Sequence, residues 1–157
     1  MIRDATNDDF STFLRLWLAF MDDQQKLGSE VLTTPKTVAF ISTLFMYYVS
    51  GYRKGVVMLV DDHSFVLVGE SIADSGFDTK HDPTAHTWAI YVDPKHRRNG
   101  LSKEMHHCVM EKLKEMGFST LSGGVLIGNA PAMAFHESEG FVFTHSTGVF
   151  HVSREGE

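Results

Sequence analysis

Arg97, Arg98 and Gly100 lie between a strand-like run and a helix-like run, an arrangement that can hold a phosphate. Trp88, Ile90 and Val92 alternate with Ala89 and Tyr91, the period of two that marks a strand. Asp93-Pro94 ends it, because proline donates no ladder hydrogen bond and biases its predecessor away from helix. The basic loop Lys95-His96-Arg97-Arg98 follows. Gly100 then opens a helix with apolar positions at Leu101, Met105, Cys108, Val109, Leu113 and Met116. A helix N-terminus leaves backbone N–H groups unpaired and carries partial positive charge, and phosphate oxygens satisfy both. Glycine allows close approach or positive φ. The guanidinium groups add charge-assisted donors. These residues alone call for a phosphate-bearing ligand of unspecified kind.

Arg97-Arg98-Asn99-Gly100-Leu101-Ser102 resembles the acyl-CoA loop of the GNAT N-acetyltransferase superfamily, Gln/Arg-x-x-Gly-x-Gly/Ala after a strand, with serine at the last position. A second stretch, from Asn129 through Ala132, Phe135 and His136 to Gly140-Phe141, is similar to the family's Asn-x-x-Ala-x-x-Phe-Tyr…Gly-Phe. The two stand in the family's order with one predicted strand between them. The resemblance implies a single α/β (α+β) domain over residues 1–157, with a central mixed, mostly antiparallel sheet flanked by helices. Its order would be β-α-α-β-β-β-α-β-α-β-β. It also implies that the strand ending at Val92 splays from the strand at residues 119–127. The pantetheine arm of acetyl-CoA would lie in that gap against the backbone of Ile90, Tyr91 and Val92. Arg97, Arg98, Asn99, Gly100, Leu101 and Ser102 would hold the phosphates, and Asn129 and Phe135 would border the arm. For Asn129 the alternative is simple helix capping.

Acetyl transfer to an amine needs a base for the ammonium, stabilisation of the developing oxygen charge, and a proton for the leaving thiolate. With both substrates held together no covalent enzyme intermediate is required, so Cys108 reads as a core residue. His86 is the candidate base, since imidazole titrates near neutrality and family members often draw a base from this part of the strand. The alternative is an exposed histidine at a strand entrance. Glu70 is the reserve candidate. His136 stands where many family members carry the tyrosine that protonates the CoA sulfur. Either a protonated imidazole donates there or the acid is missing and the thiolate leaves unassisted. Two functions follow: an acyl-CoA-dependent N-acyltransferase acetylating a primary amine of a small molecule or peptide through a ternary complex, or a non-catalytic acyl-CoA-binding or interaction domain. Other chemistries lack their patterns. No His-x-x-x-His pair offers a zinc site, so no metal is expected. No Gly-x-Ser-x-Gly elbow occurs. Gly123-Gly124…Gly128 lacks the setting of a dinucleotide fold.

The elements that must position these residues are read from periodicity. Residues 1–6 suggest a short strand. Phe10, Phe13, Leu14, Trp17, Leu18 and Met21 predict a helix to about Lys26. Thr34-Pro35 starts a second helix, with one stripe of Val38, Ile41, Phe45 and Val49 and another of Phe40, Leu44 and Tyr47. That second stripe could line an acceptor pocket, form a homodimer contact or be deeply buried. Gly55–Val60 and Phe65–Ala73 read as a hairpin around Asp61-Asp62-His63-Ser64. Residues 74–85 read as a loop whose Asp74, Asp78 and Asp82 would draw cationic acceptors. Residues 119–127 form the next strand, with Gly123-Gly124 bulged or closely approached. Asn129 caps a helix to about Glu139, and residues 141–152 offer a closing hairpin. A net charge of −6 argues against nucleic acid as a partner. The single cysteine suits a reducing compartment. The absence of a membrane-length apolar run or basic-then-apolar leader adds to a cytoplasmic expectation.

Overall fold

Among the described residues five strands hydrogen-bond in chain order: β1 (Ile2–Asp4), β2 (Gly55–Val60), β3 (Ser64–Gly69), β4 (Thr84–Val92) and β5 (Thr120–Gly123). Neighbours run antiparallel except β4 and β5, which are parallel. The helices are α1 (Phe10–Lys26), α2 (Pro35–Ser50), α3 (Leu101–Glu115) and α4 (Ala130–Ser138). This is a computed structural model, and it describes residues 1–70, 84–126 and 128–143. The acidic 74–82 loop lies outside the described residues, as do the end of the predicted third strand and most of the closing hairpin.

The β2–β3 hairpin pairs in full register from Gly55↔Gly69 to Val60↔Ser64, turning at Asp61 with φ of 49°. Its apolar runs are continuous because helices cover both faces. On one face Val57, Leu59, Phe65 and Leu67 join Phe13, Leu16 and Trp17 of α1 with Ile41, Leu44 and Phe45 of α2. On the other, Val56, Met58, Val66 and Val68 meet Val109 and Leu113 of α3. Cys108 is partly buried against that second cluster, as expected of a core residue.

Three local expectations change. The buried stripe of α2 is Ile41, Leu44, Phe45 and Tyr48, with i, i+3, i+4, i+7 spacing. It takes residues from both predicted stripes. Leu44 is core, Phe40 packs edge-on against Trp88, and Tyr47 packs on Tyr52. Secondly, β5 stops at Gly123 rather than running to residue 127, since glycine gives a strand little to pack. A Cβ at Gly123 would lie 3.3 Å from Thr87, the close approach foreseen there.

The third change is a bulge in β4. Leu67 pairs with Ala89 but Val68 pairs with Thr87, so Trp88 is the extra residue. Trp88 therefore shares the α1–α2 face with Ala89 and Tyr91 instead of alternating with them. Ile90 keeps the α3 face. Tyr48 anchors the bulge by donating its hydroxyl to Glu70 O and accepting from Trp88 Nε1 at 2.8 Å. Its ring lies flat on Gly55 and Gly69, where a Cβ at either position would collide with it.

Candidate active site

A cleft opens where β4 parts from β5. The two pair only from Thr84↔Thr120 to Thr87↔Gly123, and among the described residues no strand joins β4 on that edge beyond Thr87. The Asp93 amide donates to His63 O on the β3 side. Backbone groups of successive strand residues point to opposite edges, so Ile90 and Val92 turn theirs into the cleft. Tyr91 turns its backbone to β3 and buries its ring in the α1–α2 core, so it does not reach the cleft. The α3-side lining includes Thr87, Ile90, Leu121, His106, Phe135 and His136.

At the cleft mouth the predicted loop is built by local chemistry. Asp93 accepts from the Lys95 amide at 2.9 Å and starts a 3-10 turn over Pro94–His96. Arg98 and Gly100 then take φ of 68° and 81°, the first unusual for a residue with a Cβ. Helix α3 begins at Leu101 with no side-chain cap, so its first amides face outward as donors. Leu101 packs on Val92 and Met105 while Ser102 sits half-buried in the first turn. Asn99 is exposed.

The arginines differ in their duties. Arg97 donates from Nε to Val92 O at 2.8 Å and from Nη2 to Asp23 at 2.9 Å. It is a strut joining the loop, β4 and α1, and it occupies one backbone group of the cleft. Arg98 is exposed and makes no ion pair among the described residues.

The candidate proton carriers occupy different surroundings. His86 lies on β4 beside Ser122 of β5, with Nδ1 3.0 Å from Ser122 Oγ and its ring edge-on to Trp88. Burial holds its pKa below the ordinary value. His136 is on the α3-side wall with Phe135 and Phe141 packed on it, and its Nδ1 is buried without a hydrogen-bond partner. Burial, and then the neighbouring His106, push its pKa down. Near neutrality that shift favours the uncharged imidazole over the protonated donor, one of the two alternatives the sequence left open. Glu70 is already committed, its Oε1 accepting from the Lys54 amide at 2.9 Å. Asn129 caps α4 by accepting from the Ala132 amide at 3.3 Å, the capping role foreseen as the alternative to a donor contact.

The sequence did not single out Tyr48, Trp88 or Ser122 as neighbours of His86, whereas Phe40 stood in the stripe that could line an acceptor pocket. The Tyr48 and Gly55 signals were present, but only sheet register unites them with Gly69. Among the described residues no group of His, Cys, Asp or Glu is arranged to hold a metal ion.

The chain matches the acetyltransferase (GNAT) family over residues 42–141. Among solved structures, the mutant BH1408 protein of Bacillus halodurans is similar at 18% identity and TM-score 0.76, covering 98% of this chain and 99% of that one. The aminoglycoside 6'-N-acetyltransferase AAC(6')-IG of Acinetobacter haemolyticus is similar at 18% identity and TM-score 0.65, with 99% of each chain covered. The aminoglycoside N-acetyltransferase AAC(6')-Iy, solved in complex with CoA, is similar at 16% identity and TM-score 0.63, with 98% of this chain and 99% of that one covered. At such identities the likeness shows a common fold. No curated protein matches the sequence.

Proposed function

The chain belongs to the acetyltransferase (GNAT) family, and from that premise we propose that it moves acetyl from acetyl-CoA directly to a primary amine within a ternary complex. One observation carries the reading: the cleft between β4 and β5, with Ile90 and Val92 backbone groups turned into it and an uncapped helix terminus at its mouth. A pantetheine arm carries amide groups that pair with such a strand edge, and its pyrophosphate suits the α3 terminus beside Arg98.

The chemistry then divides between the faces of β4. His86 takes a proton from the ammonium, freeing the nitrogen lone pair. That nitrogen forms a bond to the thioester carbon, the carbon–sulfur bond breaks, and the electron pair leaves on sulfur. The sulfur leaves as thiolate and acquires its proton from solvent, neutral His136 offering only a ring N–H hydrogen bond to it, and the new amide nitrogen loses its remaining extra proton. Because a gap between strands opens to both faces, groups on opposite sides of the sheet can serve one donor lying in it. The likeness to aminoglycoside N-acetyltransferases supports an amine acceptor without naming it.

The test is incubation with acetyl-CoA and a panel of small amines and peptides, following release of free thiol. Acceptor-dependent thiol release supports the reading. Tight acetyl-CoA binding with no turnover of any amine would favour the acyl-CoA-binding module instead.

A further inference from the structure

Ser122 is hydrogen-bonded to the imidazole of His86, and a second contact of the same hydroxyl bears on the direction of that bond. Ser122 Oγ lies 3.3 Å from Ala85 O and 3.0 Å from His86 Nδ1. A carbonyl oxygen can only accept, and a serine hydroxyl carries one proton. If that proton goes to Ala85 O, the remaining capacity of Ser122 Oγ toward the imidazole is as an acceptor. His86 Nδ1 must then be the donor and carry the ring proton. The other nitrogen, Nε2, is left with its lone pair.

We propose that Ser122 is a positioning residue that holds His86 in the Nδ1–H tautomer, so that Nε2 presents the lone pair that takes the proton of the acceptor amine. The proposal rests on the reading of His86 as the base. The hydrogen bond at one ring nitrogen sets the protonation of the other, and a base held in the wrong tautomer loses much of its effect.

The setting on the sheet supports it. Parallel pairing puts His86 directly opposite Ser122, so the bond is built into the register of β4 and β5. Trp88 packs edge-on against the imidazole and is itself held by Tyr48, so ring rotation is limited from that side as well. Among the described residues the charged groups nearby do not compete. Just past β3 the Glu70 carboxylate accepts from the Lys54 amide. The β5 segment Thr120–Gly123 carries no charged side chain. Burial lowers the pKa of His86 and keeps the ring neutral, the state in which tautomer identity matters.

The tautomer is read directly from the 15N shifts of the His86 ring in labelled protein at pH 7.5, without any substrate. The expected result is a protonated Nδ1 in the native protein and a shift toward protonated Nε2 in Ser122→Ala. The same substitution should lower kcat on the order of tenfold, with KM for acetyl-CoA unchanged. It should also move the acidic limb of the pH profile to lower pH, because imidazolium loses an acceptor. Ser122→Thr keeps a hydroxyl and should restore both tautomer and rate. A protonated Nε2 in the native protein would overturn the proposal. So would native kcat in Ser122→Ala alongside an impaired His86→Ala. Native activity in His86→Ala would instead remove the base, and the role of Ser122 with it, whatever the ring shifts show.

Discussion

His86 and His136 were read as a base and an acid, and the structure gives both the same electrostatic bias. Burial disfavours each imidazolium, so each pKa lies below the ordinary 6.5. For His86 the sign helps: the neutral base is the main species at pH 7, and kcat/KM should rise to a plateau with its acidic limb below pH 6.5. For His136 the sign removes a charged acid from neutral solution. The alkaline limb expected from a protonated His136 should therefore be absent around pH 7–8. His86→Ala should cost about a hundred- to ten-thousand-fold in kcat with acetyl-CoA affinity nearly unchanged. His136→Phe should cost far less. It should leave thermal stability equal or higher, because it removes a buried nitrogen that lacks a partner. Steady-state kinetics across pH, with a melting curve for each variant, check both.

At the scale of elements, the loop before α3 separates two arginines that look alike in sequence. Arg98→Glu should weaken acetyl-CoA binding in a salt-dependent way and leave the melting temperature near the native value, since that side chain makes no ion pair among the described residues. Arg97→Glu should lower the melting temperature as well, because it breaks the bonds to Asp23 and Val92. Calorimetry at two salt concentrations distinguishes them. Gly69→Ala should destabilise the fold by roughly 1–3 kcal/mol by driving a methyl into the buried Tyr48 ring, and chemical denaturation measures it. What was legible here had local causes. Asp93-Pro94 ends a strand, Gly100 opens a helix, and Thr34-Pro35 starts one, each through its own backbone chemistry. The bulge at Trp88 was not legible, because a period of two reads the same through an inserted residue until the partner strand is known. The Arg97–Asp23 and His86–Ser122 contacts depend on long-range packing and register, which no local pattern carries.

Among the described residues the hairpin core lies between two helical layers, and a seam opens where β4 leaves β5. Titration of the half-buried imidazoles of His86, His106 and His136 acts on the entire fold. All three have pKa values lowered by burial. As pH falls through 6.5 the unfolded chain binds protons at these sites before the folded chain does, so folding stability from these groups is lost progressively from about pH 6.5 downward. Melting temperatures at pH 7.5 and 5.5 should show the fall, and His136→Phe should reduce it. The sequence alone carried the family, through the Arg97–Ser102 and Asn129–Phe141 stretches, and the order of elements through α4. It could not say that Leu44 would join the core while Phe40 packs on Trp88 and Tyr47 on Tyr52, since both faces of α2 are apolar. The central claim is that acetyl-CoA lies along the open edge of β4. A backbone amide NMR titration with acetyl-CoA tests it most directly. Saturable shifts are expected at Ile90, Val92 and the first amides of α3, Leu101 and Ser102. Saturable shifts confined to the far side of α3, around Met110, Lys114 and Phe118, with β4 unmoved, would contradict it.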